Sequence, residues 1–221
     1  MARRKSVSSW LNRFVSAGAA ALLVGCHGAP PRATSAPAAV VAEAPAAASA
    51  VPAPVPERAT QQYAQALQLM KSGHDTDAEL AFKQLVASYP QLTGPQLNLG
   101  LLYSRNSQLP EAEGVFKTVL EQNPTNAVAG NELGIVERKL GKFTEAEAVY
   151  QRTIAAEPNY ALTHLNLGVL YDLYLAQPQK ALDEFQRYIE IVGENKQVAG
   201  WVLELRKRVG APLPAPKKDP A

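Results

Sequence analysis

The chain has 221 residues, 22 basic against 20 acidic side chains, three histidines and one cysteine. That near balance argues against a surface built to coat a phosphate backbone, and a lone thiol rules out an internal disulfide framework. The length is ample for one domain with a sizeable core.

Residues 1–25 begin with Arg3, Arg4 and Lys5, carry Arg13, and continue as a small and apolar run from Phe14 to Val24. Such a run is too short for a permanent membrane-spanning helix and suits the apolar part of an export signal. It ends in Leu23-Val24-Gly25-Cys26, which resembles the bacterial lipobox. The resemblance implies cleavage after Gly25, a diacylglyceryl group on the Cys26 thiol and acylation of the new N-terminus. The chemistry needs a thiol nucleophile with small residues beside it. Each buried acyl CH₂ contributes about 0.8 kcal/mol, and more than one chain makes anchoring stable. Position 27 is His27, not the aspartate that retains enterobacterial lipoproteins at the inner membrane. The expected location is therefore the bacterial cell envelope, lipid-anchored at the outer membrane and facing the periplasm.

Residues 26–56 hold the lipidated cysteine and a linker dominated by alanine, proline and valine, with Pro30, Pro31, Pro45, Pro52, Pro54 and Pro56. Proline removes backbone donors and blocks the helix that alanine would form. With few large side chains to bury, the segment is expected to be a disordered, extended tether. A similar tail covers residues 211–221 and carries Lys217 and Lys218.

Between them, residues 57–210 repeat themselves. Pro90, Pro124 and Pro158 lie 34 residues apart. Around them recur Leu99-Gly100, Leu133-Gly134 and Leu167-Gly168, then Ala112, Ala146 and Ala181, then Phe116, Tyr150 and Phe185. A more divergent first unit carries Ala66, Leu69, Gly73, Ala78 and Phe82. This text is identified with the tetratricopeptide-repeat family, whose period is 34. The resemblance implies an all-α superhelix of about four helix-turn-helix units, near residues 59–92, 93–126, 127–160 and 161–195, the last with one extra residue in its turn. Its glycines are expected to let paired helices approach, with Ala112, Ala146 and Ala181 as small partners. Phe82, Phe116, Tyr150 and Phe185 are expected to fill the gap to the next unit. Thr76 with Glu79, and Thr144 with Glu147, fit capping boxes opening the second helices, while Pro110 suggests a different start in the second unit. Val198, Trp201, Val202, Leu205 and Val209 recur at helical spacing, so residues 196–209 read as a closing helix, with Trp201 in its core or as a partner anchor.

By family geometry the first helices line a concave face. Its sixth positions here are Ala64, Asn98, Glu132 and Asn166. The fifth and ninth positions add Tyr63, Leu97, Asn131, Leu165, Leu67, Leu101, Ile135 and Val169. An amide both donates and accepts, so Asn98 and Asn166 are candidates to grip a peptide backbone, as in the asparagine ladders of some family members; the same residues are also common repeat text. The lysine-rich carboxylate clamp of the family's co-chaperones is unmatched, since no fifth position is basic. From Arg58 to Leu205 there are 12 basic against 17 acidic residues, a net of −5, which again argues against nucleic acid.

No catalytic set, cofactor motif or metal-ligand spacing is recognisable. His164 occupies a packing position, and Glu111/Glu113 and Glu145/Glu147 point apart at two-residue spacing and read as solvated helix starts. The expected function is a lipid-anchored scaffold or adaptor, not an enzyme, that binds a protein or peptide in the envelope. Pilus secretin assembly, outer-membrane protein assembly, peptidoglycan-protease adaptors and TonB/ExbB-type systems all use this plan. The alternative is a structural or self-associating lipoprotein without a separate ligand. A periplasmic enzyme would need an activity these residues do not suggest.

Overall fold

The computed structural model describes residues 55–212. The signal residues, including Gly25 and Cys26, nearly all of the linker and the tail from residue 213 lie outside the described residues. Among the described residues are nine α-helices and no strand. They are α1 Glu57–Lys71, α2 Asp75–Ser88, α3 Thr93–Arg105, α4 Leu109–Gln122, α5 Ala127–Lys139, α6 Phe143–Ala156, α7 Ala161–Leu173, α8 Pro178–Val192 and α9 Lys196–Val209. The first eight pair into four hairpins, α1/α2 through α7/α8. Each hairpin packs on the next through α2 on α3, α4 on α5 and α6 on α7, and α9 closes against α8.

One turn design joins the two helices of every unit. A left-handed residue follows the first helix: Gly73 (φ 78°), Ser107 (φ 62°), Gly141 (φ 76°) and Ala176 (φ 51°). The next backbone N–H then reaches back to the first helix, from His74 to Leu69 O (3.0 Å), Gln108 to Tyr103 O (2.9 Å) and Lys142 to Glu137 O (2.9 Å). This is the Schellman arrangement, which satisfies carbonyls the helix would leave open. In the fourth unit the extra residue shifts the bond to Gln177 N–H on Tyr171 O (2.9 Å). Glycine adopts this backbone freely, whereas Ser107 and Ala176 do so at a cost of roughly 1–2 kcal/mol each.

These turns also correct the expected capping boxes. His74, Gln108 and Lys142 precede the second helices, and none caps through its side chain. Their carbonyls accept from Ala78 (2.9 Å), Ala112 (3.0 Å) and Ala146 (3.0 Å). Thr76 and Thr144 are therefore already inside the first turn, at the position Pro110 takes in α4, so all three helices start alike. Glu79 instead accepts from Lys83 (2.6 Å) and Glu147 from the Tyr171 hydroxyl (2.9 Å). The side-chain caps are elsewhere: Asn126 accepts from Ala129 N–H (2.9 Å) and Asn195 from Val198 N–H (3.1 Å).

The mid-helix glycines make room for a ring rather than for the alanine of the second helix. A Cβ on Gly100 would stand 2.7 Å from Phe116, on Gly134 2.3 Å from Tyr150, and on Gly168 2.6 Å from Phe185. Each aromatic thus lies over the bare Cα of its own unit, a closer relationship than the expected filling of the gap to the next one. In the first unit Ala66 takes the glycine position, and both Ala66 and Phe82 are fully buried. Ala112, Ala146 and Ala181 are fully buried as well. Around these pairs run two clusters, one from Ala66 to Val149 and one from Ala146 to Leu205, which meet at α6.

Polar side chains lock the joints between units. Gln96 Nε2 donates to Pro90 O (2.6 Å), and His164 Nε2 lies 3.0 Å from Pro158 O, each six residues away. The equivalent position in the third unit is Gly130, where a Cβ would collide with Thr153 Oγ1 at 2.1 Å. Buried His164 also sets Nδ1 2.7 Å from Glu184 Oε2, so both ring nitrogens face acceptors, which suits the doubly protonated ring. Burial opposes that charge, but the bonds to Glu184 and Pro158 outweigh it and the pKa lies above the ordinary 6.5; Arg187 opposes the charge more weakly.

On α9, Val198, Val202 and Leu205 are buried. Trp201 is neither plain core nor free: its ring lies 5.3 Å from Phe185, yet it remains 37 % exposed.

Gly134→Ala is expected to destabilise the protein by about 1–3 kcal/mol through overpacking, although alanine favours an isolated helix by about 1 kcal/mol. Chemical denaturation measures the sign directly. A raised histidine pKa stabilises the fold below the unfolded value and loses that contribution as pH rises through the folded value. The melting-temperature gap between wild type and His164→Gln should therefore be largest below pH 6.5 and shrink as pH rises above it.

Candidate functional site: the groove of the first helices

Helices α1, α3, α5 and α7 carry the expected concave positions, and each buries its opposite side against its own second helix. Leu67, Leu97 and Leu101 are half-buried on the first apolar cluster, and Ile135, Leu165 and Val169 on the second. Leu101, Ile135 and Val169 are equivalent in three successive units. They form an apolar row across the stack, backed by core and open on one side. Ala64 is exposed, and Asn98, Glu132 and Asn166 are half-buried beside the row.

The amides are less free than the sequence suggests. Asn98 Nδ2 donates to the Tyr63 hydroxyl (2.7 Å) and to Gly94 O (3.0 Å), so both its hydrogens are used. Tyr63 in turn lies edge-on to Phe82, with centroids 6.2 Å apart. Asn131, expected on the open face, is 1 % exposed and is turned inward instead. It accepts from Asn166 Nδ2 (2.9 Å) and donates to Glu132 Oε1 (3.2 Å). Two bonds at a 35-residue step, Tyr63 to Asn98 and Asn131 to Asn166, thus tie neighbouring units along the groove. Units two and three are joined elsewhere, by Glu113 on Lys142 (2.7 Å).

Glu113 is accordingly not a solvated helix start. It is 9 % exposed, and Lys117 and Lys142 hold its carboxyl below the usual range. Its neighbour Glu137 is also buried, and that burial pushes its carboxyl up. Glu132 is shifted upward mainly by burial, with the Asn131 bond and the charge of Lys139 opposing.

At the C-terminal end the groove opens into a cavity of about 190 Å³ lined by Val169, Asp172, Leu173, Phe185 and Trp201. Leu173 is 68 % exposed there, and Arg208 pairs with Asp172 at 2.6 Å. Next to it Tyr174 stacks on Phe143 (5.0 Å) and takes a hydrogen bond from Arg138 (3.1 Å). Leu173 ends α7 and Tyr174 follows it, beyond the repeat positions that the family assigns to the groove, so no repeat signal marks them. Among the described residues no three His, Cys, Asp or Glu side chains come together to hold a metal.

The tetratricopeptide repeat family model matches residues 63–127 and 131–195. No curated protein is similar to the chain by sequence. Solved structures share the fold. MamA 41-end from Desulfovibrio magneticus RS-1 superposes with a TM-score of 0.62 at 20 % identity, covering 71 % of this chain and 88 % of that one. A thermophilic TPR protein in Thermus thermophilus gives 0.55 at 20 % identity, with coverage of 69 % and 83 %. Pseudomonas aeruginosa pilF gives 0.62 at 16 % identity over 70 % of each chain.

Proposed function

The chain belongs to the tetratricopeptide-repeat family, a protein-interaction scaffold, and from that premise we propose that it is a lipid-anchored adaptor of the bacterial cell envelope. The groove is its working surface and takes a segment of a partner protein. The observation that carries this reading is the row of Leu101, Ile135 and Val169. These are large apolar side chains left half-covered at equivalent positions of three units, where burying them against a partner would gain about 25 cal/mol per Å². A core position would have been covered by the fold itself.

The anchor rests on the sequence junction Leu23-Val24-Gly25-Cys26. Lipid on Cys26 would hold the protein at a membrane, and the proline-rich segment would let the groove reach a partner beyond the surface. Among the described residues no helix is long and apolar enough to cross a membrane. The envelope complex served would be one that assembles at the outer membrane and is met from the periplasmic side.

Cys26→Ala should remain uncleaved and take up no palmitate label in cells; normal labelling and sorting of that variant would remove the anchor. Leu101→Asp combined with Ile135→Asp should keep the helical circular-dichroism spectrum. Its recovery of the wild-type partner in pull-downs should fall about tenfold or more, the scale of a lost hot spot.

A further inference from the structure

The hydrogen bonds along the groove have a direction. Asn98 uses both amide hydrogens on Tyr63 and Gly94, so only its carbonyl oxygen is left to meet a ligand. Asn166 gives an N–H to Asn131, and Asn131 gives one to Glu132. Each of these two amides gives one N–H one step along, and the relay ends on a carboxylate. An ionised carboxylate has about four acceptor sites, and Glu132 receives one protein donor, at 3.2 Å. No lysine, arginine or histidine nitrogen lies within 4.0 Å of Glu132 among the described residues, whereas Glu137, Glu147, Glu184 and Asp172 each have one and Glu113 has two. A half-buried charge without a counter-charge is costly, so the fold keeps Glu132 at a cost that stability alone does not explain.

Resting on the groove reading above, we propose that the groove selects a partner segment with a lysine or arginine that seats on Glu132, flanked by apolar side chains that lie on the Leu101–Ile135–Val169 row. The cation supplies the missing donors and charge, with the carbonyl of Asn98 available to a second N–H. The groups that bear on Glu132 electrostatically fit this assignment. Lys139 on its own helix moderates its charge from a distance. From neighbouring elements, Tyr150 and Tyr160 feel the carboxylate's charge but bring none of their own. Since the chain itself is acidic across the repeats, with 12 basic against 17 acidic residues, a basic segment is also favoured on approach.

Selection of random phage-displayed peptides on the full chain in detergent tests this. Wild type should enrich peptides with one lysine or arginine among apolar residues. Glu132→Gln keeps the acceptor for Asn131 and should melt no lower than wild type. It should bind the best such peptide about thirtyfold more weakly, the lower end for a lost buried charge partner, and should no longer distinguish lysine from norleucine. Peptides without basic preference that still fail to bind Leu101→Asp/Ile135→Asp would overturn the cation assignment and leave the groove reading standing. Peptides indifferent to that double variant, or no enrichment at all, would overturn both. Enrichment seen only after deletion of residues 213–221 would name the chain's own Lys217–Lys218 as occupant and overturn a separate partner.

Discussion

An aromatic ring lying on a bare Cα is the contact on which the molecule depends. Gly100 with Phe116, Gly134 with Tyr150 and Gly168 with Phe185 set the distance between the two helices of a unit. Any side chain on those glycines needs space that the ring already fills. The ring is itself buried, so it has nowhere to move; Tyr150 and Phe116 are fully covered and Phe185 nearly so. Glycine weakens a helix, and the packing gained from a buried ring, of several kcal/mol, more than offsets that cost. The same pairing repeats at a constant step, and therefore the first helices arrive side by side with equivalent positions in line. The groove is a consequence of that register and not a separate construction.

Joints between units are tied by a second kind of contact, hydrogen bonds and ion pairs between polar groups held away from water. Gln96 and His164 hold the prolines behind them, Asn131 bridges Asn166 and Glu132, and Glu113 is shared between Lys117 and Lys142. Such bonds are individually modest, about 1 kcal/mol. Their cost when broken is larger because the partner left behind is buried. They also decide what the groove offers. Hydrogens used to tie one unit to the next are not available to a ligand, so Asn98 offers the open side only its carbonyl oxygen.

Much of this was legible in the sequence because a repeat states its register several times. The prolines at 34-residue spacing and the recurrent Leu-Gly pairs predict the units, and Lys196–Val209 is a helix in the segment that apolar spacing marks. The helix starts differ from the capping-box expectation for a physical reason. Threonine followed by glutamate three residues on is a capping signal only if the helix begins there, and here the turn through Gly73 or Gly141 fixes an earlier start. The polarity of the amides was not legible either. An asparagine in sequence is donor and acceptor at once; which half is used depends on neighbours 35 residues away. Burial of Glu113 likewise depends on Lys142 from the next unit, a contact that no local pattern encodes.

Function then reduces to which face of the stack meets another protein. Photoreactive residues placed singly at Leu101 and Val169 in the groove, and at Leu80, which is 58 % exposed on the outer helix α2, test this in living cells. Adducts with one and the same envelope protein are expected from both groove positions and none from Leu80. Adducts to that protein from Leu80 alone, or groove adducts only with the chain's own linker, would refute the groove as the working surface.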